Sequence, residues 1–141
     1  MRLLVDHNIS LYIARALAAV AEPDRHEVKA KSELFDTAVS VPDTEWLSVL
    51  ASQGGWAFVS DDHRLYRNPQ ERAAMLEARV IGFFLEPAWR KRNVTEYERA
   101  ARLILWLPRL AQQCEIIEPP AAYRLPFRHT SRLRPIALPR R

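Results

Sequence analysis

Along the first 118 residues, short apolar runs alternate with stretches of helical period. Residues 2–6 form an apolar run closed by an acid, Asp6, the pattern of a buried strand. From Ile9 the period changes. Ile9, Ile13, Leu17 and Val20 recur at helical spacing, Asn8 or Ser10 can cap the start, and Glu22-Pro23 can end it. Residues 26–29 are a further strand candidate, followed by a loop containing Asp36. Ser40-Val41-Pro42-Asp43 opens a second helix with Trp46, Leu47, Leu50 and Ala51 on its apolar face, and Gly54-Gly55 stops it. Residues 56–60 are the clearest strand and run straight into Asp61-Asp62. Asn68-Pro69-Gln70-Glu71 supplies a cap, a proline at the first helical position and an acid close behind. That helix is expected to reach about Arg79, with a strand at 80–85. Thr95-Glu96-Tyr97-Glu98 matches a capping box opening a long helix with Tyr97, Ala101, Ile104 and Ala111 on one face and a bend at Pro108. Alternation of this kind predicts an α/β fold with a mostly parallel sheet flanked by helices.

The chain has 141 residues, the size of one ordinary domain, and 48% hydrophobic content is enough for a packed core. A single cysteine, Cys114, excludes a disulfide framework and a multi-cysteine zinc site and suits a reducing compartment. No apolar run approaches the roughly 20 residues of a membrane span. Residues 2–5 enter a strand without a signal-peptide pattern, so a cytoplasmic protein with no membrane contact is expected. All 17 acids lie at or before Glu118, against 15 of the 21 basic residues; the other six bases (Arg124, Arg128, Arg132, Arg134, Arg140 and Arg141) follow it. Residues 119–141 hold five prolines and no acid or glycine. They read as an extended basic tail appended to a domain of residues 1–118, either docked on the body or on a partner, or free in solvent.

In a parallel sheet, ligands bind in the crevice beyond the carboxyl ends of the strands. Asp6 closes the first strand and Asp61-Asp62 the strand at 56–60, while Asp43 starts a helix that a right-handed crossover brings to the same edge. Crowded carboxylates repel unless they protonate or bind a cation, and oxygen donors suit a hard ion such as magnesium or manganese. Such an ion activates water and neutralises phosphate, which points to phosphodiester hydrolysis. Each acid also has a structural reading. Asp6 can end a strand, Asp43 can complete a capping box with Ser40, Asp61-Asp62 can be turn residues, and Glu45 can face solvent rather than assist a metal. Asp36 sits in a loop of undefined path, and His7, His26, His63 and His129 show no metal-ligand spacing.

The order of these motifs resembles PIN-like domains. Leu3-Leu4-Val5-Asp6-His7-Asn8 is similar to their opening strand, Pro42-Asp43-Thr44-Glu45-Trp46-Leu47 to their second helix start, and Phe58-Val59-Ser60-Asp61-Asp62-His63-Arg64 to their acidic strand end. Tyr66-Arg67-Asn68-Pro69-Gln70-Glu71-Arg72 and the stretch 84–89 are most similar to PIN-like proteins grouped with VapC-type toxins. The resemblance spans about residues 2–110. It implies a three-layer α/β/α sandwich and a Mg2+- or Mn2+-dependent ribonuclease, commonly the toxin of a type II toxin–antitoxin pair held inactive by a cognate antitoxin, often as a homodimer. It implies metal-binding roles for Asp6, Asp43 and Asp62 and supporting roles for Asn8 and Ser60. Arg64 stands where many such nucleases carry a further acid, with Asp61 a candidate substitute.

On this reading Asp6, Asp43 and Asp62, with Asp61, hold the metal, and Arg64, Arg67 and the tail arginines meet RNA phosphates. Tyr66 and Trp89 either stack an unpaired base or pack in the core. The alternative is a catalytically weak or inactive PIN-like protein that binds nucleic acid or a partner. A receiver-type phosphoacceptor needs a lysine at the end of a late strand, and no lysine follows Lys91. The apolar residues of the tail (Tyr123, Leu125, Phe127, Leu133, Ile136 and Leu138) could also lie in a groove of an antitoxin or sister subunit.

Overall fold

A computed structural model describes residues 1–35 and 41–139; Asp36, Ser40, Arg140 and Arg141 lie outside the described residues. The elements run β1 (Arg2–Val5), α1 (Leu11–Ala21), β2 (Glu27–Ala30), the single turn α2 (Lys31–Leu34), α3 (Asp43–Gln53) and β3 (Trp56–Ser60). Then come the single turn α4 (Arg64–Arg67), α5 (Pro69–Ala78), β4 (Ile81–Leu85), α6 (Glu96–Ile116), β5 (Ala121–Leu125) and β6 (Arg134–Pro135). The sheet has six strands in the order β2-β1-β3-β4-β5-β6. All pairs are parallel except β5–β6.

Local chemistry explains most boundaries. Ser10 caps α1 by accepting from the Tyr12 amide, Asn68 caps α5 through the Gln70 and Glu71 amides, and Thr95 caps α6 through the Glu98 amide. Gly54 ends α3 at φ 75°, a conformation that a Cβ disfavours.

Alternation along each strand feeds two cores. Leu3, Val5, Val59, Phe83 and Leu85 face α1 and α6, whereas Leu4, Phe58 and Phe84 face α3 and α5. The result is a three-layer α/β/α sandwich. Phe58 packs edge-on against both Trp46 and Phe84. Gly82 is the residue that lets them meet: a Cβ there would stand 2.7 Å from Phe58 Cζ and 2.9 Å from Phe84 Cε2.

Several expectations are corrected. In α1 the buried residues are Ile13, Ala14, Leu17 and Ala21, while Val20 is half exposed; the alanines let the helix lie close to the sheet. In α6 the buried stripe is Leu103, Trp106, Leu107, Leu110 and Ala111, and Tyr97 points to solvent. The stripe with the greater apolar volume is the one that is buried. The helix α6 continues through Pro108, as the sequence places it.

The segment read as a tail is not wholly extended from the body. Residues 121–125 form β5, parallel to β4, and residues 134–135 return antiparallel to β5. Phe127 and Leu133 pack against the α1/α6 core, and Ile136 and Leu138 against the α3/α5 core. Among the described residues, no helix is long and apolar enough to cross a membrane.

Candidate active site

The sheet order reverses between β1 and β3: the chain leaves β1 for β2 on one side and returns to β3 on the other. That switch point opens a crevice at the carboxyl ends of both strands. Asp6 follows β1 directly, and Asp61 and Asp62 follow β3.

Ser60, fully buried at the end of β3, joins the two loops. Its Oγ donates to Asp6 Oδ2 at 2.6 Å and accepts from the Asp62 amide at 2.9 Å. Asn8 supports the same junction, with its Nδ2 3.5 Å from Ser60 Oγ and its Oδ1 accepting from the Asp61 amide. Asp6 is 1% exposed, and its Oδ1 accepts from the His7 amide at 2.7 Å and contacts His7 Nδ1 at 2.9 Å.

Asp43 arrives from the first turn of α3, where its Oδ1 accepts from Trp46 Nε1 at 2.7 Å. Pairing of Val5 with Ala30 brings the residue after β2, Lys31, beside Asp6. The Lys31 ammonium lies 3.7 Å from Asp6 Oδ1 and 4.0 Å from Asp43 Oδ1, bridging the two acids. Glu71, in the first turn of α5, is held next to Asp43 and close to Asp62. Its carboxyl is pushed above its ordinary value of 4.5 by burial first, then by the charge and hydrogen bond of Asp43. Asp62 is driven the other way, below 3.8, chiefly by Arg64, whose Nε and Nη2 donate to both its oxygens at 3.0 and 2.9 Å.

Three expected metal ligands thus gather at one crevice: Asp6, Asp43 and Asp62. Asp61 does not join them. Its carboxylate pairs with Arg90 and lies 3.8 Å from His63 Nε2, and it lines a pocket with Ile9, Ile13 and Leu103 of the α1/α6 layer. Adjacent residues point to opposite faces, and β3 hands Asp61 to one layer and Asp62 to the other. Glu45 is exposed, as a helix residue on the solvent side. The capping partner expected for Asp43, Ser40, lies outside the described residues, as does Asp36. Tyr66 and Trp89 are packed, at 8% and 0% exposure, and are not base-stacking platforms. The Tyr66 hydroxyl meets His63 Nδ1 at 2.7 Å, and His63 Nε2 meets the Leu85 carbonyl, so His63 is a staple between the β3–α4 loop and β4.

Lys31 and Glu71 were not singled out from the sequence. Glu71 carries a signal only as a helix-start acid, and Lys31 carries none, because its role depends on the β1–β2 register.

The family model described as "PIN like domain" matches residues 1–87, more than half of the chain. The chain belongs to the PIN-like domain family. Searches of curated proteins and of solved structures return no match. PIN-like domains are generally nucleases and typically depend on divalent metals. Among the described residues, no three acid, histidine or cysteine side chains stand close enough together to hold one ion as placed. Lys31 spaces Asp6 from Asp43, and Arg64 holds Asp62. The donor chemistry nevertheless fits. All four groups (Asp6, Asp43, Asp62 and Glu71) are carboxylates, and buried Glu71 Oε2, beside another carboxyl, has no hydrogen-bond partner among the described residues, leaving a lone pair that a cation can use.

The raised Glu71 value makes a stability prediction for metal-free protein. Below about pH 4.5 both folded and unfolded Glu71 are protonated and its contribution is fully present. As pH rises through the higher folded value, the unfolded state ionises first and that contribution is lost. Glu71→Gln stays neutral. In EDTA it should melt a few degrees above wild type at pH 7–8 and level with it near pH 4, by scanning calorimetry. A variant less stable than wild type at pH 8 would contradict the carboxyl–carboxyl contact.

Proposed function

We propose that the protein is a divalent-metal-dependent endoribonuclease, the toxin of a type II toxin–antitoxin pair. The observation that carries this reading is the gathering of Asp6, Asp43, Asp62 and Glu71 from four separate segments at the sheet's switch point. Asp6, Asp43 and Asp62, joined by Glu71, would hold Mg2+ or Mn2+. When bound, the ion supplies an activated water and charge neutralisation at the scissile phosphate.

The chain's own groups set the stage for that chemistry. Ser60 fixes Asp6 against the Asp62 loop, and Trp46 orients Asp43. Arg64 is 76% exposed at its side chain and can turn from Asp62 to a phosphate. It also lines a cleft of about 420 Å3 with Arg67, Arg90, Arg124 and Arg134, whose guanidiniums outnumber the two carboxylates there, Asp61 and Glu86, and would offer a net basic path for a polynucleotide backbone. Arg124 and Arg134 come from β5 and β6, so the segment after residue 118 would contribute to substrate binding.

Incubation of purified protein with single-stranded RNA in Mg2+ or Mn2+ should give internal cleavage that EDTA stops. No cleavage by protein shown to bind the metal would overturn the nuclease reading. The toxin assignment adds a cognate antitoxin, and a homodimer is a further candidate assembly. An adjacent reading frame whose product binds the protein and blocks cleavage would support the assignment.

One observation favours a second reading, a PIN-like protein that binds nucleic acid or a partner without cutting. Lys31 and Arg64 already neutralise three of the acids. Calorimetry with Mn2+ separates the two: the binder would take up RNA but no metal.

A further inference from the structure

Lysine is rarely buried without a purpose, because its ammonium is strongly hydrated. Lys31 is 9% exposed, and among the described residues its Nζ lies 3.7 Å from Asp6 Oδ1, 4.0 Å from Asp43 Oδ1 and 4.9 Å from the ring centroid of Trp46. Both carboxylate distances exceed a hydrogen bond, so toward these described residues the ammonium is held by charge and by the indole face rather than by directed bonds. It stands between two of the acids proposed above as metal-binding.

We infer that Lys31 is a built-in cation which holds the Asp6–Asp43 pair together without metal and which a divalent ion must displace to load the site. This rests on the reading of the crevice as a divalent-cation site and adds its regulation: occupancy becomes an exchange of cations. Two positive charges cannot share so small a volume without strong repulsion. Magnesium also draws its oxygens to about 2.0–2.1 Å, which leaves no room for an ammonium between them. The displaced side chain has four rotatable methylenes with which to reach solvent past the crevice mouth, where His7 and Arg64 are already exposed. The second cation, Arg64 on Asp62, lies at the surface and yields readily; Lys31 is the buried one and sets the threshold.

The test compares Mn2+ binding by calorimetry in wild type, Lys31→Met and Lys31→Arg. Removing the charge should tighten Mn2+ binding at least tenfold, whereas Lys31→Arg should stay near wild type. A companion measurement needs no variant. The chain has three lysines, Lys29, Lys31 and Lys91. Amine labelling read by peptide mass spectrometry should be slow at Lys31 in EDTA and several-fold faster with Mg2+, with Lys29 and Lys91 as internal controls. If Lys31→Met does not fold without metal, the labelling result decides. Equal Mn2+ affinity in the folded variants, or Lys31 labelling indifferent to Mg2+, overturns the inference and leaves the nuclease reading standing. Mn2+ binding by Lys31→Met alone supports the inference and favours the non-cutting protein. No binding by any of the three overturns both.

Discussion

Asp6→Asn is expected to lower metal-dependent cleavage by about 10³-fold or more and to destabilise the protein by about 2 kcal/mol. The two losses have different origins. Activity falls because the amide removes a negative charge from the proposed ligand set while leaving its shape. Stability falls because Asp6 is the nearer of two counter-charges to buried Lys31. Breaking a buried pair from one side costs about 3–5 kcal/mol when the survivor is left alone. Here Asp43 remains at 4.0 Å, which reduces that cost. The asparagine oxygen can still accept from Ser60 Oγ and keep the junction between the two loops, but its Nδ2 then meets the His7 amide donor, which adds to the loss.

A double-mutant cycle separates the terms. Adding Lys31→Met to Asp6→Asn should recover most of the lost stability in EDTA and none of the cleavage. Full cleavage by a folded Asp6→Asn protein would remove Asp6 from the site. Additive stability losses in the cycle would show that Lys31 and Asp6 do not interact.

The residues that could be read in advance were those whose signal is local. Ser10, Asn68, Thr95 and Gly54 sit at element ends because of what they do to neighbouring amides or to φ, and the strand at 56–60 is a continuous apolar run. Asp6, Asp43 and Asp62 were legible as a group because a parallel sheet sends its strand ends to one edge. What was hidden depends on register or on competition. Glu71 reads as a helix-start acid until α5 packs beside α3. Asp61 and Asp62 are equivalent by composition, and only the side to which the strand end turns separates them. In α1, Val20 loses its place to Ala14 and Ala21 because close approach to the sheet favours small residues over a larger apolar one. β5 was concealed by its flanks. Pro119, Pro120 and Pro126 carry turn signals, and they flank five residues that pair along their whole length.

That concealed strand leads to the second large effect: a fragment of residues 1–118 should fail to fold, although the sequence pattern alone would place a domain boundary there. β5 pairs with β4 over residues 81–85 and covers the edge of a strand buried along its whole length. Ala122, Tyr123 and Leu125 are 3%, 6% and 0% exposed. Losing their burial costs about 5 kcal/mol at roughly 25 cal/mol per Å2. Two buried indoles also lose their acceptors: Trp89 Nε1 donates to the Leu125 carbonyl and Trp106 Nε1 to the Pro126 carbonyl, both at 2.9 Å. Each orphaned donor costs about 1–3 kcal/mol. The total is comparable with the roughly 5–15 kcal/mol that holds a domain together. Residues 1–127 keep the strand and both carbonyls and lose β6, the packing of Ile136 and Leu138, and the grip of Arg109 on the His129 and Ser131 carbonyls. That longer fragment should remain folded, with a Tm lower than the full chain by several degrees. Circular dichroism and thermal melts of the two fragments check both statements. A cooperative transition for residues 1–118 near the full-length Tm would show that the sheet closes at β4 and that everything beyond α6 is an appendage.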